Sequence, residues 1–281
     1  MRELYTAKDR LRNSNQMFLI VACEGCGTLR TLPEMTDREL AWFYPNEYWG
    51  DEAAEGWIRS SQAEKVKFLS SCNLSSGAIL DVGCGAGFFL RALESSRWNR
   101  YGVEMSEKAA RAANLALGTG RVFSGTLIEA ECADQAFDVV TFWSALEHTN
   151  EPRATLTEAR RILKPGGSVI IQVPNAASYQ ARMFGGNWFA LDAPRHRYHF
   201  TPKTLGRLLE QTGFKIYRST QFSKSHNSHA LRQSLKAKLN AGSSAMGRAL
   251  FLISIPFIKP FDFLMTALGH GATLTVVARA V

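Results

Sequence analysis

From about residue 77 the chain alternates short apolar runs with stretches of helical period. Ala78-Ile79-Leu80-Asp81-Val82 predicts a buried strand that ends in glycines, and Phe88-Phe89-Leu90-Arg91-Ala92-Leu93 resumes at helical spacing. Arg100 to Val103 predicts a second strand ending at Glu104. Ser106 is placed to cap a helix over Glu107 to Leu117, because its hydroxyl accepts an early amide. A third strand is expected near Arg121 to Phe123 and a fourth over Phe137 to Phe142. Asn150 to Leu163 then predicts a helix, with Pro152 in its first turn and Lys164-Pro165-Gly166-Gly167 as its stop; Ser168 to Val173 is the fifth strand. Upstream, Gly56 to Leu74 reads as a helix that buries Trp57, Ile58, Val66, Phe68 and Leu69. Downstream, Thr204 to Thr212 reads as a helix ended by Gly213, and Phe214 to Gln221 and Thr273 to Ala280 as strands.

Strands joined by helix-length crossovers must lie parallel, since tight hairpins serve only antiparallel neighbours, so the expected class is α/β with a doubly wound sheet. Residues 1–50, rich in aromatic and polar residues such as Trp42-Phe43-Tyr44-Pro45 and Tyr48-Trp49, read as a small separate lobe. The sheet domain is expected over 51–222, a basic and apolar helical insertion over 223–270, and the last strand over 271–281.

The 281 residues suffice for a full core, and five scattered cysteines do not make a disulfide framework, so a reducing cytoplasm is expected. Met1-Arg2-Glu3-Leu4 does not open a basic-then-apolar leader. No uncharged apolar run of spanning length is present. The net charge of +8 is unevenly placed. Thr201 to Val281 holds 11 Lys or Arg against Glu210 and Asp262, a net +9, which leaves −1 for everything before it. Concentrated positive charge attracts phosphate-bearing partners, whether nucleic acid, anionic lipid or a nucleotide-linked substrate, although it also serves solubility.

Asp81-Val82-Gly83-Cys84-Gly85-Ala86-Gly87 falls where a strand's carboxyl end meets a helix start, the place where doubly wound sheets bind ligands. Glycines admit a ligand close to the backbone, and free amides at the helix start favour a carboxylate or phosphate. Phe88 occupies the place of the third glycine of a dinucleotide fingerprint, and no Gly-Lys-Ser or Gly-Lys-Thr follows, which disfavours NAD and excludes a Walker loop. Glu104, 23 residues after Asp81, can accept two hydrogen bonds from a ribose, which implies an adenosine-type ligand.

Through Ile79 to Leu90, Tyr101 to Glu104 and Phe137 to Asn175, the sequence resembles the class I S-adenosylmethionine-dependent methyltransferases over roughly Gly56 to Tyr217. Phe137-Asp138-Val139-Val140, Leu146-Glu147-His148 and Leu163-Lys164-Pro165-Gly166-Gly167 resemble the small-molecule branch of ubiquinone-type O-methyltransferases and sugar methyltransferases. The resemblance implies a Rossmann-like seven-stranded sheet with an antiparallel last strand and S-adenosyl-L-methionine as cofactor. Gly83, Gly85 and Gly87 would pass its methionine part, Asp81 would lie near its amino group and Glu104 would hold the ribose. Ser124-Gly125-Thr126-Leu127 lacks the acidic residue that often meets adenine in the family. Trp143 could face the sulfonium cation or serve as a core aromatic.

An oxygen acceptor must lose a proton, and histidine titrates in the useful range. His148 follows the fourth strand. His196 and His199 lie in Asp192-Ala193-Pro194-Arg195-His196-Arg197-Tyr198-His199-Phe200, which is similar to a segment that covers the acceptor in the small-molecule branch; each could instead serve a turn. Glu147 with His148 offers only two metal ligands, too few for a site, and no metal is expected. Cys23-x-x-Cys26 is half of a zinc-ribbon shell, so a lobe that has lost its metal or its partner knuckle is the expectation. Lys224 to Leu268 combines basic residues with Ala249 to Ile258, which Pro256, Lys259 and Pro260 interrupt; it is expected at a membrane surface, on the sheet or on a second subunit. Trp143-Ser144-Ala145-Leu146 is not the Pro-Pro-aromatic loop of base-amine methyltransferases, which disfavours RNA. The reading is methyl transfer to a sugar, quinone or lipid-linked metabolite, with a non-catalytic membrane scaffold as the alternative.

Overall fold

The computed structural model describes residues 1–12, 14, 16–45 and 55–281, without the side chains of Glu55 and Trp57. Tyr48, Trp49, the expected boundary at 50/51 and the burial of Trp57 therefore lie outside the described residues. In chain order the elements are β1 (Arg2–Lys8), β2 (Met17–Ala22), β3 (Leu29–Leu32), α1 (Asp37–Ala41), α2 (Glu55–Ser71), β4 (Gly77–Val82), α3 (Phe88–Ala92), β5 (Trp98–Glu104), α4 (Glu107–Leu117), β6 (Val122–Ser124), β7 (Phe137–Trp143), α5 (Pro152–Ile162), β8 (Leu163–Pro174), α6 (Tyr179–Phe184), β9 (Tyr198–His199), α7 (Pro202–Gln211), β10 (Phe214–Thr220), α8 (Asn227–Lys238), α9 (Ala245–Ala267) and β11 (Thr273–Ala280). They form two compact units. One comprises Met1–Pro45, Pro174–Leu205 and Thr220–Leu274, the other Asn46–Val173, Gly206–Ser219 and Thr275–Val281.

The second unit is built on a seven-stranded sheet of order β10-β11-β8-β7-β4-β5-β6. Neighbours from β8 through β6 are parallel. β11 runs the other way: Gln172 Nε2 meets Thr275 Oγ1 while Asn175 N–H reaches Ala272 O, so the partner position falls as β8 advances. The order reverses between β4 and β7, and such a switch point opens a crevice at the strands' carboxyl ends. Ile79, Val139 and Ile170 fill the sheet's interior with Leu69, Leu90 and Ala113 from the covering helices. Each such aliphatic side chain larger than alanine contributes about 1.5–3 kcal/mol when fully buried. Local chemistry fixes the ends. Ser106 Oγ accepts the Ala109 N–H at 3.3 Å, and Pro152 opens α5. Asn114 ties α4 to β6 by accepting from Arg121 and Val122 N–H and donating to Val122 O. Lys164-Pro165-Gly166-Gly167 stops α5 as expected but is itself extended, so β8 begins at Leu163 rather than Ser168.

The first unit holds the antiparallel sheet β1-β2-β3-β9. The separate amino-terminal lobe expected from the sequence is instead joined by β9, through Leu29 paired with His199 and Arg30 with Tyr198. Phe18, Ile20, Phe43, Phe184, Trp188 and Leu231 share one core. Arg195, fully buried, donates to Asp9 at 2.8 Å, to Asp192 at 2.6 and 3.0 Å, and to Phe43 O at 2.8 Å. Burial alone disfavours its charge, but the two carboxylates keep the guanidinium protonated.

The interruption expected at Pro256 and Pro260 does not occur, since α9 runs unbroken through both. Proline already has helical φ, but it gives up its own N–H and crowds the carbonyl four residues earlier, so the helix persists through both prolines at a local cost. The helix is consequently 23 residues long with a window of mean hydropathy 1.5, long and apolar enough by those measures to cross a membrane, although no uncharged run of that length exists.

Candidate active site

Asp81, Gly83, Gly85, Gly87, Glu104, Trp143 and His148 belong to the sheet unit, His196 and His199 to the other. Asp81, the residue before the last of β4, is 3% exposed and accepts the Thr141 hydroxyl at 2.6 Å. Burial pushes its pKa up to about 7, against the pull of Thr141 and Lys65, with Glu104 pushing the same way. Lys65 is pushed down to about 8 by burial, opposed by Asp81.

The turn after Asp81 is left-handed at Gly83 (φ 73°), Gly85 (φ 55°) and Gly87 (φ 75°). A Cβ on Gly83 would lie 2.7 Å from that of Ala145, so both conformation and space demand glycine there. Gly83 and Cys84 N–H both donate to Val103 O, which fastens the turn to β5. Glu104, 2% exposed, receives Gly85 N–H on one oxygen and Ser106 N–H on the other, both at 2.8 Å. Burial raises its pKa while these amides lower it. The helix that follows the turn, α3, has five residues. Burial beside Asp81 and Glu104 keeps Cys84 a thiol, so it is no nucleophile.

Trp143 is 7% exposed and packs edge-on against Phe89 (5.4 Å) and Phe68 (6.4 Å). The Lys65 ammonium lies 5.5 Å from its ring centroid. Its packing is that of a core aromatic, and the cation facing it is the chain's own lysine. Sequence reasoning missed Met105 and Ile128, just beyond β5 and β6, which are 54% and 51% exposed despite being apolar. Their signal was their address, one residue past the end of β5 for Met105 and four past the end of β6 for Ile128. The acidic residue sought near Ser124 stands at Glu129, but its carboxylate accepts Thr126 N–H and hydroxyl in a capping turn.

His148 closes a 3-10 turn, Leu146–His148, after β7 and is half-buried. In the other unit, His196 is 7% exposed and its Nδ1 lies 3.1 Å from Ala190 O. A carbonyl only accepts, so Nδ1 carries the proton and Nε2, 3.9 Å from Asp192 Oδ2, is the basic nitrogen. His199 is held differently. The Thr31 hydroxyl donates to His196 O at 2.7 Å and therefore receives a proton from His199 Nε2 at 2.9 Å. Burial pushes His199 down to about 4, so it is neutral at pH 7. Cys23 and Cys26 form no disulfide and lie in the turn between β2 and β3, where Gly27 N–H donates to Cys23 O. Hydrogen bonds from Cys26 and Gly25 hold the Cys23 thiol below its usual value.

A left-handed glycine turn at the switch point of a 3-2-1-4-5-7-6 sheet, flanked by buried carboxylates on adjacent parallel strands, defines the class I methyltransferase architecture. Residues 54–219 match the family described as methyltransferase domain, and the chain belongs to that family as a class I S-adenosylmethionine-dependent methyltransferase. Similar curated proteins are the ubiquinone biosynthesis O-methyltransferases of Thiobacillus denitrificans and Nitrosospira multiformis, 31% and 29% identical over 153 and 154 residues. Those alignments cover 50% and 51% of this chain and 66% and 64% of the relatives, just under two thirds of their length. Among solved structures, a methyltransferase of Thermotoga maritima described as a possible histamine N-methyltransferase aligns with TM-score 0.54 and 21% identity over 84% of this chain and 96% of its own. A methyltransferase of Archaeoglobus fulgidus gives 0.52 and 18% over 81% and 98%. At such identities the likeness is one of fold.

S-adenosyl-L-methionine is the cofactor of the class. The sheet unit fits it by charge: two buried carboxylates carry a desolvation cost that a cationic ligand offsets. Asp81 carries a stability consequence. Its folded-state value of about 7 lies above the ordinary 3.8, so the stability it contributes is complete below the lower value and is lost as pH rises through the higher. Asp81→Asn should therefore raise the melting temperature of the cofactor-free protein above pH 7 and leave it nearly unchanged close to the lower value. Calorimetric scans at both ends test this; an equal shift at the two would rule titration out as the cause.

Proposed function

We propose that this enzyme methylates an oxygen of a small-molecule or lipid-linked acceptor such as a quinone or sugar, with a histidine as general base. The observation that carries the reading is the pairing of buried Asp81 and Glu104 across the left-handed glycine turn, in a methyltransferase domain that is similar in sequence to ubiquinone biosynthesis O-methyltransferases. When bound, S-adenosyl-L-methionine supplies a methyl group already activated on a sulfonium centre. Asp81 holds the cofactor's ammonium, Gly83 and Gly85 let its methionine part pass close to the backbone, and Glu104 accepts the ribose hydroxyls. Met105 and Ile128 offer apolar surface for the adenine. Trp143 enters as packing behind Lys65. The protein's remaining work is to align the acceptor and take its proton.

For the base, His196 is the best equipped, because Nε2 is its basic nitrogen and the Asp192 carboxylate stabilises the imidazolium that forms. His148 is the second candidate. His199, neutral and fixed by Thr31, positions the backbone of residues 196–199. Labelled methyl donor with quinol, catechol and sugar acceptors, alone and in lipid, tests the assignment. His196→Ala should lower turnover about 10²–10⁴-fold, the usual worth of a general base, with donor affinity unchanged in calorimetry. An equal loss of donor affinity, or full activity in the variant, would remove His196 from this role.

A further inference from the structure

We propose that α9 is a monotopic docking element whose exposed apolar face lies in the interface of an anionic lipid surface. The helix falls outside residues 54–219, so the family match does not account for it. Its two faces differ sharply. Gly247, Phe251, Ile258 and Asp262, spaced along one stripe, are buried within the unit. The packing there is specific: a Cβ on Gly247 would come within 2.0 Å of Leu239 O, and Asp262 accepts from Gln180 Nε2 at 3.3 Å and from Ser228 Oγ at 3.2 Å. The other face presents Met246, Leu250, Ile253, Phe257, Phe263 and Leu264, each 48–74% exposed. Several adjacent large apolar side chains in water mark an interaction surface.

Three observations select the occupant. At 23 residues the helix spans about 34 Å, enough to cross a bilayer, but the stripe that holds Asp262 is committed to the protein, so lipid cannot surround it. Pro256 and Pro260 lack N–H groups, which leaves the carbonyls of Leu252 and Pro256 without intrahelical donors. Headgroups and interfacial water can serve those carbonyls, whereas hydrocarbon cannot. Between residues 220 and 274 stand Lys224, Arg232, Lys236, Lys238, Arg248 and Lys259, and the only acidic residue is the buried Asp262. Two copies meeting through this basic segment would repel one another, whereas an anionic lipid surface complements its charge.

The test is flotation of the full chain with phosphatidylcholine vesicles, with and without phosphatidylglycerol. The protein should float only with the anionic vesicles, less at high salt. Each of Lys236, Lys238, Arg248 and Lys259 changed to Gln should weaken partitioning about fivefold. Phe257→Asp and, independently, Ile253→Asp should abolish it while the melting temperature holds, since both side chains are 66% exposed. Equal flotation on neutral vesicles, binding that survives both substitutions, or a dimer that Phe257→Asp splits in the absence of vesicle binding would each overturn the proposal. Turnover of a soluble acceptor is a separate measurement and stands apart from all of these.

Discussion

Replacing Glu104 with Gln should weaken binding of S-adenosylhomocysteine about 100-fold, read by titration calorimetry on protein that is still folded. Each Glu104 oxygen already receives one backbone N–H, from Gly85 and from Ser106, at 2.8 Å. A carboxylate keeps a lone pair on each oxygen for the two ribose hydroxyls. An amide cannot do this, because whichever way it turns its NH₂ faces one of those N–H groups, donor against donor. The variant loses at least one charged hydrogen bond to the ligand and disturbs the turn that carries Gly85. Hydrogen bonds to charged groups are worth about 1.5–3 kcal/mol, so two affected bonds reach the stated factor. An affinity within threefold of the parent would mean that Glu104 does not meet the ribose.

Arg195→Ala should cost about 3–5 kcal/mol of stability, the usual penalty for breaking a buried ion pair from one side. It leaves Asp9 and Asp192 without their shared cation and Phe43 O without its donor. Arg195→Lys should restore little, because Arg195 meets Asp192 through two nitrogens and Asp9 through a third, and one ammonium cannot reproduce that fork. Thermal unfolding decides the matter. A variant that melts like the parent but turns over poorly would show that Arg195 acts on the acceptor rather than as a staple. The Pro-Arg-His segment was expected as an acceptor cover, yet its arginine is wholly enclosed within its own unit.

What was legible in the sequence was whatever neighbouring residues decide. The Ser106 cap, Pro152 at the start of α5 and the glycine turn after β4 are local devices, and each appears where its residues dictate. Glu104 was legible because strand length and the turn before it set its address. Long-range pairing was not. β9 has only two residues and exists because β3, far earlier in the chain, offers an edge. The pairing of Asp9 with Arg195 spans 186 positions, the hydrogen bond of His199 with Thr31 spans 168, and the depressed titration of His199 comes from its enclosure. No periodicity reports such partners. The run through Pro256 and Pro260 was hidden for another reason: local propensity predicts a break, and a helix already anchored along one side overrides it.

The junction of β3 with β9 bears on biosynthesis. On the ribosome, the open flank of that hairpin must wait 168 positions, from Thr31 to His199, before its mate emerges. Throughout that interval a nascent polypeptide displays unsatisfied ladder groups, the kind of surface on which neighbouring chains cross-pair. A bound chaperone that covers this edge, or faster elongation that shortens the wait, should therefore improve the yield of native protein.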